Sequence, residues 1–485
     1  MTDLQRKDLF RNEAYINGEW VETDTQYDVF NPADGRVLGP VPDMGPHQVT
    51  GAIEAAEKAF PEWARRPAGE RARILRRFHD LMQENQEDLA LLMTLEQGKP
   101  LKESRGEIAY AASFLEWFGE EAKRTYGDVI PSFKEEARIL AIKQPVGIAG
   151  AITPWNFPSA MITRKAGAAL AAGCPVLIKP AEDTPFSALA LARLAEEAGV
   201  PPGVFNILTA SDPEPIAAAM TGDPRLRKLS FTGSTEVGRR LMAQSADQLK
   251  RLSLELGGNA PFIVFEDADL DRAVEGAVAC KFRNAGQTCV CANRIYVQDG
   301  IYDSFAKAFT DKVKDLKVGN GLEDDVDIGP LINEQGLEKV GNLVRDALDR
   351  GAEIMTGGKP HKLGGTFYEP TVLKNADPGM ELSCNEIFGP VASLYRFRDE
   401  HEALRLANDT QYGLAAYFYT RDAARSWRVA EALEYGIVGV NEGLISTAVA
   451  PFGGIKQSGF GREGSKYGIE EYLDIKYVLM GGLDN

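Results

Sequence analysis

The chain has 485 residues, of which 44% are hydrophobic and 26% are charged. That composition supplies large buried cores and excludes an intrinsically disordered protein, and the length predicts about three domains or one large α/β unit with an appendage. The 54 basic and 71 acidic side chains give a net charge of −17, which argues against nucleic acid or an anionic membrane as a partner.

Cysteine and histidine content narrows the chemistry. The five cysteines lack the paired spacings of a disulfide framework or a zinc site, which predicts a reducing compartment, by default the cytoplasm. The four histidines lie outside glycine-rich or apolar motifs, so no metal site is predicted. The most apolar segment, 165–179, is too short to span a bilayer, and the first residues lack the apolar core of a secretory signal.

The predicted elements change character along the chain. Apolar residues at helical spacing predict one helix over 49–60 and a longer helical stretch over 74–89. Segment 123–144 follows and is predicted to be a projecting hairpin. From Pro145, short β-rich runs alternate with helices up to RLSLEL, which predicts βαβ units in a mostly parallel, doubly wound sheet. A second alternating series, from PFIVF to about Gly454, predicts a second α/β domain.

A candidate nucleophile stands in the segment FRNAGQTCVCANR, residues 282–294. Cys289 follows a helical pattern and precedes a predicted strand, where a turn can present a thiol to a cleft. The alternative is a small buried hydrophobic residue, because free cysteine is among the most buried residue types.

A candidate catalytic carboxylate stands in LSLELGGNAP, residues 252–261. Leu252, Leu254 and Leu256 alternate on one face of a predicted strand, which puts Glu255 on the other face. Parallel α/β sheets bind ligands at the carboxyl ends of their strands, so Glu255 is placed where it can act. A solvated or salt-bridged glutamate is the alternative.

Two further segments are typical of nucleotide binding. FTGSTEVG, residues 231–238, predicts a strand, a turn at Gly233 and a helix capped by Ser234, whose first N–H groups suit a phosphate. IKPAEDTP predicts a strand followed by a polar loop that offers Lys179 and Glu182 to a ribose or a phosphate. A structural turn explains either segment equally well.

Seven motifs together resemble the aldehyde dehydrogenase superfamily in order and spacing, and the resemblance extends from YINGEW to the carboxyl end. Within the superfamily the chain is most similar to succinate-semialdehyde dehydrogenases, although enzymes acting on glutarate semialdehyde share much of the pattern. The motifs are TPWNFP (153–158), KPAEDTP (179–185), FTGSTEVG (231–238), LELGGNAP (254–261), GQTCVCANR (286–294), EIFGP (386–390) and PFGGIKQSGFGREG (451–464).

The resemblance implies the catalytic roles. Cys289 would be the nucleophile that forms a thiohemiacetal and then a thioester, and Glu255 would be the general base. The amide of Asn156 and the backbone N–H of Cys289 would form the oxyanion hole. A cysteine acyl-transfer enzyme or esterase, which uses the same thiol without a nucleotide, remains the alternative from another class.

The resemblance also implies a nicotinamide dinucleotide. NAD is predicted to be preferred over NADP, because the Glu182 carboxylate would repel a 2′-phosphate. The residues implied to bind the cofactor are Trp155, Lys179, Glu182, Gly233, Ser234, Glu386 and Phe388.

The predicted substrate is a short aldehyde with a terminal carboxylate, most similar to succinate semialdehyde. In a chain of charge −17, an anionic substrate needs a local cationic clamp, and arginine grips a carboxylate with two hydrogen bonds. The implied clamp consists of Arg164, Arg283 and Ser446. By the same resemblance, Cys291 is a candidate redox partner of Cys289.

The predicted fold class is α/β, aldehyde dehydrogenase-like, with two doubly wound domains and a small β oligomerisation element. Residues 1–122 and 146–257 are assigned to an NAD-binding domain and 258–456 to a catalytic domain. Residues 123–145 and 457–485 are assigned to the bridging element, whose strands are expected to pair across subunits in a homodimer or homotetramer.

Overall fold

A computed structural model describes residues 4–483. Within that range, no helix is long and apolar enough to cross a membrane. The helix predicted over 49–60 is present as the longer α1, and the helical stretch predicted over 74–89 is divided between α2 and α3 at Asn85. The helices, numbered in chain order, are α1 Pro46–Arg65, α2 Ala68–Glu84, α3 Gln86–Gln97, α4 Leu101–Glu121, α5 Ala160–Ala172, α6 Pro185–Glu197, α7 Pro213–Gly222, α8 Thr235–Ser245, α9 Leu270–Phe282, α10 Tyr302–Lys314, α11 Glu334–Asp349, α12 Glu381–Cys384, α13 Glu400–Asn408, α14 Ala423–Ala432 and α15 Ser465–Glu470.

The first sheet has eight strands, of which the central five are parallel. Strands near its two edges run antiparallel to their neighbours. In spatial order, with strands numbered along the chain, they are β19 Gly459–Phe460, β11 Arg251–Glu255, β10 Leu226–Thr232, β7 Ile148–Ile152, β8 Val176–Lys179, β9 Phe205–Ile207, β1 Ala14–Ile16 and β2 Glu19–Val21.

Helices cover both faces of this sheet. In β7 and β8, Ala149 and Ile178 pack into a core shared with α2, α4, α5 and α6, whereas Ile148 and Leu177 pack into a second core with α1, α7 and α8. Successive residues of a strand point to opposite faces, so strands buried on both faces are apolar throughout. The predicted doubly wound α/β architecture is confirmed.

The second sheet has seven strands and its own large apolar core. All neighbouring strands are parallel except the edge strand β14. In spatial order they are β14 Glu353–Thr356, β15 Thr371–Lys374, β16 Val391–Phe397, β13 Ala292–Gln298, β12 Ala260–Val264, β17 Ala415–Tyr419 and β18 Ile437–Val440.

The segment predicted to be a hairpin forms part of a three-stranded antiparallel sheet. Strands β5, Asp128–Ile130, and β6, Arg138–Pro145, pair as the hairpin, and β20, Leu473–Met480, joins the other edge of β6. A separate two-stranded sheet consists of β3, Gln26–Phe30, and β4, Val37–Pro42. The strand β19 belongs to the eight-stranded sheet, and the domain boundaries stay a prediction.

One face of the first sheet is polar although it is buried. Ser230 and Thr232 of β10 are in register with Ser253 and Glu255 of β11, and these side chains share a face. Helix α5 packs over this face, where Lys165 Nζ donates to Thr232 Oγ1 at 2.6 Å. The fold therefore places charged groups between α5 and the carboxyl ends of two parallel strands.

Candidate active site

Cys289 lies in the turn between α9 and β13. Asn284, Ala285 and Gly286, which precede it, have φ of +51°, +54° and +73°. Non-glycine residues with positive φ are strained and cluster at functional sites, where neighbouring contacts hold them. A Cβ on Gly258 would lie 2.3 Å from the Cys289 carbonyl oxygen, so only glycine lets the chain entering β12 approach this turn.

Two cavities meet at Cys289, which lines both of them. The thiol therefore lies where a substrate and a second molecule can reach it from different sides. The first cavity, of about 320 Å³, is also lined by residues that include Tyr110, Phe157, Met161, Arg164, Arg283, Ser446 and Phe452. The second, of about 250 Å³, is also lined by residues that include Trp155, Asn156, Gly233, Ser234, Lys339, Glu386 and Phe388.

The protonation state of Cys289 follows from its burial. Burial raises the pKa of the thiol to about 12, against the opposing charge of Arg164. The side chain is therefore a thiol at neutral pH, and a base must take its proton before it can attack a carbonyl carbon. The Cys289 backbone N–H donates to no residue in the range 4–483, which leaves it free to bind an oxygen.

Glu255 ends β11 and is 2% exposed. Neither of its carboxylate oxygens has a hydrogen-bond partner among the described residues. Burial, and secondly the charge of Glu463, raise the pKa of Glu255 well above its usual value. A carboxyl group with a raised pKa binds a proton more readily than an ordinary glutamate and is suited to exchanging a proton during a reaction.

A second buried carboxylate, Glu463, has a pKa that is shifted in the opposite direction. It accepts hydrogen bonds from Arg164 Nε, Lys165 Nζ and Ser230 Oγ. Burial alone would raise its pKa, but the charges of Arg164 and Lys165 outweigh burial and lower the pKa to about 2. Glu255 and Glu463 are thus two carboxylates of one buried cluster whose surroundings move their pKa values apart. No group of acidic, histidine or cysteine side chains within residues 4–483 has the arrangement of a metal site.

Asn156 lies between β7 and α5 and is 3% exposed. Its Nδ2 donates to the carbonyl oxygen of Gln287 at 2.9 Å, which aims the amide at the segment just before Cys289. An amide nitrogen carries two hydrogens, so one remains for another acceptor. The side-chain oxygen has no partner among the described residues.

Arg164 and Arg283 both line the first cavity but differ in their partners. Arg164 is buried, its Nε donates to Glu463, and its guanidinium lies 4.2 Å from the centre of the Phe452 ring. Arg283 is half-buried and forms no ion pair with any residue of the described chain. Ser446 lines the same cavity. The structure therefore leaves Arg283, and not Arg164, without an acidic partner.

Gly233 and Ser234 precede α8 and line the second cavity. Ser234 Oγ accepts a hydrogen bond from the Val237 N–H at 3.2 Å, which is a helix cap. The N–H groups of Thr235 and Glu236 have no partner inside the helix, because the first turn never supplies one. Such a helix start favours a phosphate group.

Glu386 stands across this cavity from the helix start. Its Oε1 accepts a hydrogen bond from the Gly258 N–H at 3.0 Å, and burial raises its pKa to about 7. A Cβ on Gly257 would lie 3.2 Å from the other carboxylate oxygen, so glycine keeps the crevice open. The rings of Trp155 and Phe388 pack edge to face, with centres 5.5 Å apart, at the mouth of the cavity.

Lys179 and Glu182 form an ion pair at the carboxyl end of β8. Lys179 Nζ lies 2.9 Å from Glu182 Oε2, and the side chains are 2% and 43% exposed. Neither residue lines the cavity at Cys289. Both lie at the sheet edge where parallel strands end, the usual edge for a nucleotide.

Cys291 lies behind the turn, with 4% of its surface exposed. Its thiol donates to the Gly286 carbonyl oxygen at 3.3 Å, and Lys281 Nζ lies 3.7 Å from its sulfur. All five cysteines are free thiols in this structure. A redox role for Cys291 stays a prediction.

Sequence reasoning does not identify Lys99, Lys165 or Glu463 as site residues, although each is buried within the cluster around the turn. Signals for two of them exist in the sequence. Lys165 stands beside Arg164 in the otherwise apolar helix AMITRKAGAALAA, where two adjacent charges require a buried partner. Glu463 lies within the motif of residues 451–464.

Comparisons with known proteins agree with this site. The model of the aldehyde dehydrogenase family matches residues 20–478. Glutarate-semialdehyde dehydrogenase from Pseudomonas aeruginosa is 60% identical, over 99% of this chain and 100% of its own. The protein GabD from Escherichia coli, named as an NADP(+) succinate-semialdehyde dehydrogenase, is also 60% identical, over 99% of both chains.

A solved structure shows the same similarity in three dimensions. The crystal structure of succinate-semialdehyde dehydrogenase from Burkholderia pseudomallei has 58% identity and a TM-score of 0.98, over 99% of this chain and all of the other. The chain belongs to the aldehyde dehydrogenase family, a family of oxidoreductases. The resemblance inferred from the seven motifs is confirmed.

The predicted preference for NAD over NADP is wrong. A relative with 60% identity carries NADP(+) in its name, and a solved structure 59% identical to this chain is described as an NADP-dependent enzyme from Escherichia coli. The physical reason lies in the Lys179–Glu182 ion pair. The carboxylate expected to repel a 2′-phosphate is paired with an ammonium group and partly exposed, so its field is neutralised and screened.

Proposed function

We propose that this protein oxidises succinate semialdehyde to succinate with NAD(P), through a thiohemiacetal and then a thioester on Cys289. The observation that carries the proposal is that Cys289 lines two cavities, one bordered by the unpaired Arg283 and the other by a capped helix start. Relatives named for succinate and glutarate semialdehyde, each 60% identical, support this substrate class. Glutarate semialdehyde is the second candidate substrate.

A cysteine acyl-transfer enzyme or esterase would need only the first cavity. The second cavity argues against that alternative, because it combines a helix start suited to phosphate with a carboxylate, Glu386, suited to ribose hydroxyls. Gly257 and Gly258 keep both the crevice and the turn free of side chains. The residues that line the second cavity therefore fit a nicotinamide dinucleotide.

The first chemical step is attack of the Cys289 sulfur on the aldehyde carbon. Since the pKa of the thiol is about 12, the proton must pass to a base, and Glu255 in its ionised form is the group with both oxygens unpartnered. As the C–S bond forms, negative charge develops on the carbonyl oxygen. The second N–H of Asn156 and the free N–H of Cys289 are the donors available to that oxygen.

Oxidation requires the second cavity to be filled. A nicotinamide cofactor, when bound, supplies the acceptor for the hydride that leaves the thiohemiacetal carbon. Gly233 and Ser234 would hold its phosphates, and Glu386 its ribose. Trp155 and Phe388 would border the nicotinamide and limit access of water.

Hydrolysis of the thioester completes the reaction. Glu255 first releases the thiol proton to solvent. It then takes a proton from water as the water attacks the acyl carbon, and Asn156 again faces the developing oxyanion. The departing sulfur recovers a proton and Cys289 returns to its thiol form. Glu463, held ionised by Arg164 and Lys165, favours the protonated form of Glu255, because two like charges in one buried cluster repel. It therefore strengthens Glu255 as a proton acceptor.

The direct test is formation of reduced nucleotide, followed by absorbance, with a panel of aldehydes differing in chain length and terminal charge and with NAD and NADP in parallel. We expect succinate semialdehyde to have the highest kcat/KM, followed by glutarate semialdehyde, with uncharged aldehydes lowest. Equal kcat/KM for butyraldehyde and succinate semialdehyde, or release of acid without nucleotide, would overturn the proposal.

The pH dependence of kcat/KM is expected to report on Glu255. Because burial raises the pKa of Glu255, its carboxyl group ionises at higher pH than an ordinary glutamate. The rate should therefore rise with pH as the pH passes through that raised pKa. Glu255→Gln should lower kcat about a hundredfold or more, and its kcat/KM should lack the inflection with pH that ionisation of Glu255 produces.

Glu386→Gln is the matched control, because burial also raises the pKa of Glu386, to about 7. That variant should keep the inflection of the unsubstituted protein, whatever its KM for nucleotide. An identical inflection in Glu255→Gln would show that another group supplies the base.

We also propose that the protein is a homodimer or homotetramer joined through the three-stranded sheet. Its strands and the flanking segment carry exposed apolar side chains, including Tyr126 at 72%, Val129 at 78%, Phe133 at 70%, Ile475 at 74% and Tyr477 at 60% exposure. Apolar patches of this kind mark interaction surfaces, and the edges at β5 and β20 offer unpaired backbone groups.

Sedimentation velocity at micromolar concentration tests this assembly. The unsubstituted protein should sediment as a dimer or tetramer, and the double variant Ile475→Lys/Tyr477→Lys should sediment as a smaller species, because two buried charges oppose association. Leu249→Lys, which replaces a side chain 91% exposed elsewhere, is the control. A monomer for the unsubstituted protein would refute the proposed assembly.

We propose a cytoplasmic location, in line with the free state of all five cysteines, since reducing compartments keep thiols unpaired. Among the relatives, those from Arabidopsis thaliana and Rattus norvegicus are named as mitochondrial enzymes. Free thiols agree with either compartment.

A further inference from the structure

Lys99 and Glu107 form a buried ion pair beside the first cavity. Lys99 follows the end of α3, Glu107 lies in α4, and each side chain is 1% exposed. The Nζ–Oε2 distance is 2.5 Å. Moving two charges out of water costs free energy. The contacts of the pair show which segment of the chain it holds in place.

The pair contacts segment 156–160 at four residues, three of them through the backbone. Lys99 Nζ donates to the Asn156 carbonyl oxygen at 2.6 Å and lies 4.2 Å from the centre of the Phe157 ring. Glu107 Oε1 accepts hydrogen bonds from the N–H groups of Ser159 at 3.0 Å and Ala160 at 3.2 Å. The two charged groups therefore hold the segment that carries Asn156 and starts α5.

A second connection joins this segment to the turn before Cys289. Asn284 Nδ2 donates to the same Asn156 carbonyl oxygen at 3.0 Å, and Asn156 Nδ2 donates to Gln287. The Asn156 backbone is thus fixed by Lys99 from one side and by the turn from the other. With the backbone fixed, the direction of the side-chain amide is set before any substrate arrives.

We infer that Lys99 is a positioning residue, which acts through Asn156 by fixing its carbonyl and so aiming its amide at the oxyanion. This inference rests on the proposed function, because it assigns Asn156 the oxyanion. Lys99 is suited to the task because its compact ammonium group can donate to a carboxylate and a carbonyl oxygen together. Preorganised donors contribute more to a transition state than donors that must reorient.

The test is a double-mutant cycle between the Lys99 site and Asn156. The Lys99 variant is Lys99→Met combined with Glu107→Gln, because an unpaired buried carboxylate would destabilise the fold and glutamine can still accept from Ser159 and Ala160. With succinate semialdehyde and saturating nucleotide, we expect kcat to fall about tenfold to a hundredfold and KM to change less than about threefold.

In an Asn156→Ala background the same pair of substitutions should change kcat less than about twofold, because residues that act as one unit are non-additive. Lys228→Met is the matched control: Lys228 is a buried lysine that donates to Ser253 Oγ at 2.6 Å and has no contact with Asn156. Its effect should be the same in both backgrounds. Thermal unfolding of each variant reports losses of stability separately.

Equal effects of the Lys99 pair in both backgrounds would overturn the inference and leave the proposed function standing. If the Lys99→Met/Glu107→Gln protein fails to fold, Lys99→Arg, which keeps the charge, replaces it in the cycle. Its effect on kcat should again be smaller in the Asn156→Ala background than in the unsubstituted protein. An Asn156→Ala variant with unchanged kcat would also overturn the inference, because Lys99 would then have no oxyanion donor to position. An unsubstituted protein that forms no reduced nucleotide would instead refute the proposed function.

Discussion

Cys289→Ala is expected to lose aldehyde oxidation by at least about a thousandfold while it still binds NAD(P). The substitution removes the sulfur that must bond to the carbonyl carbon, and without a tetrahedral adduct no hydride is released. The cavity lined by Gly233, Ser234 and Glu386 does not depend on the thiol for its shape. Reduced-nucleotide formation and nucleotide binding by calorimetry measure the two properties independently.

Cys384→Ala is the control, because Cys384 is an exposed thiol in α12, away from both cavities. It should retain the activity of the unsubstituted protein. Trapping of an acyl-enzyme by acid quench, followed by mass measurement, should find the adduct on the peptide with Cys289. Turnover by Cys289→Ala within about tenfold of the unsubstituted protein would end the covalent mechanism.

The sequence identifies the residues proposed to react, Cys289 and Glu255, but it does not identify Glu463, which raises the pKa of Glu255. Cys289 stands in a turn between a predicted helix and a predicted strand, and Glu255 stands at the end of an alternating strand. Both patterns are local and can be read from the sequence. Glu463 raises the pKa of Glu255 directly through its charge. Glu463 is itself paired with Arg164, which lies 299 positions away in the chain, and no local pattern encodes such a pairing. Its effect on the pKa of Glu255 therefore emerges only when α5 packs over the sheet.

The same limit applies to two other features. The hairpin at β5 and β6 follows from a local pattern, whereas the third strand, β20, lies in the carboxyl-terminal segment that only the family resemblance assigns to the same element. The cofactor preference was inferred from Glu182 alone. Lys179, three residues before it, neutralises that carboxylate because the turn after β8 brings the two together.

The two arginines of the first cavity are expected to behave differently, although the sequence treats them alike. Arg164 is buried in an ion pair with Glu463. Its loss leaves Glu463 with Lys165 as its remaining cationic partner, and disturbs the pKa of Glu255. Arg164→Ala should therefore lower kcat for charged and uncharged aldehydes by similar factors.

Arg283→Ala is expected to raise KM for succinate semialdehyde by about tenfold to a hundredfold and to leave KM for butyraldehyde nearly unchanged. Arg283 is half-buried, lies 5.4 Å from the centre of the Phe157 ring and forms no ion pair with the described residues, so its guanidinium is available to a carboxylate. A charge-assisted hydrogen bond contributes about 1.5 to 3 kcal/mol, which corresponds to this change in KM. Arg283→Lys should recover part of the loss, since lysine keeps the charge without the bidentate fork. Parallel increases in KM for both aldehydes would show that Arg283 shapes the cavity without reading the carboxylate.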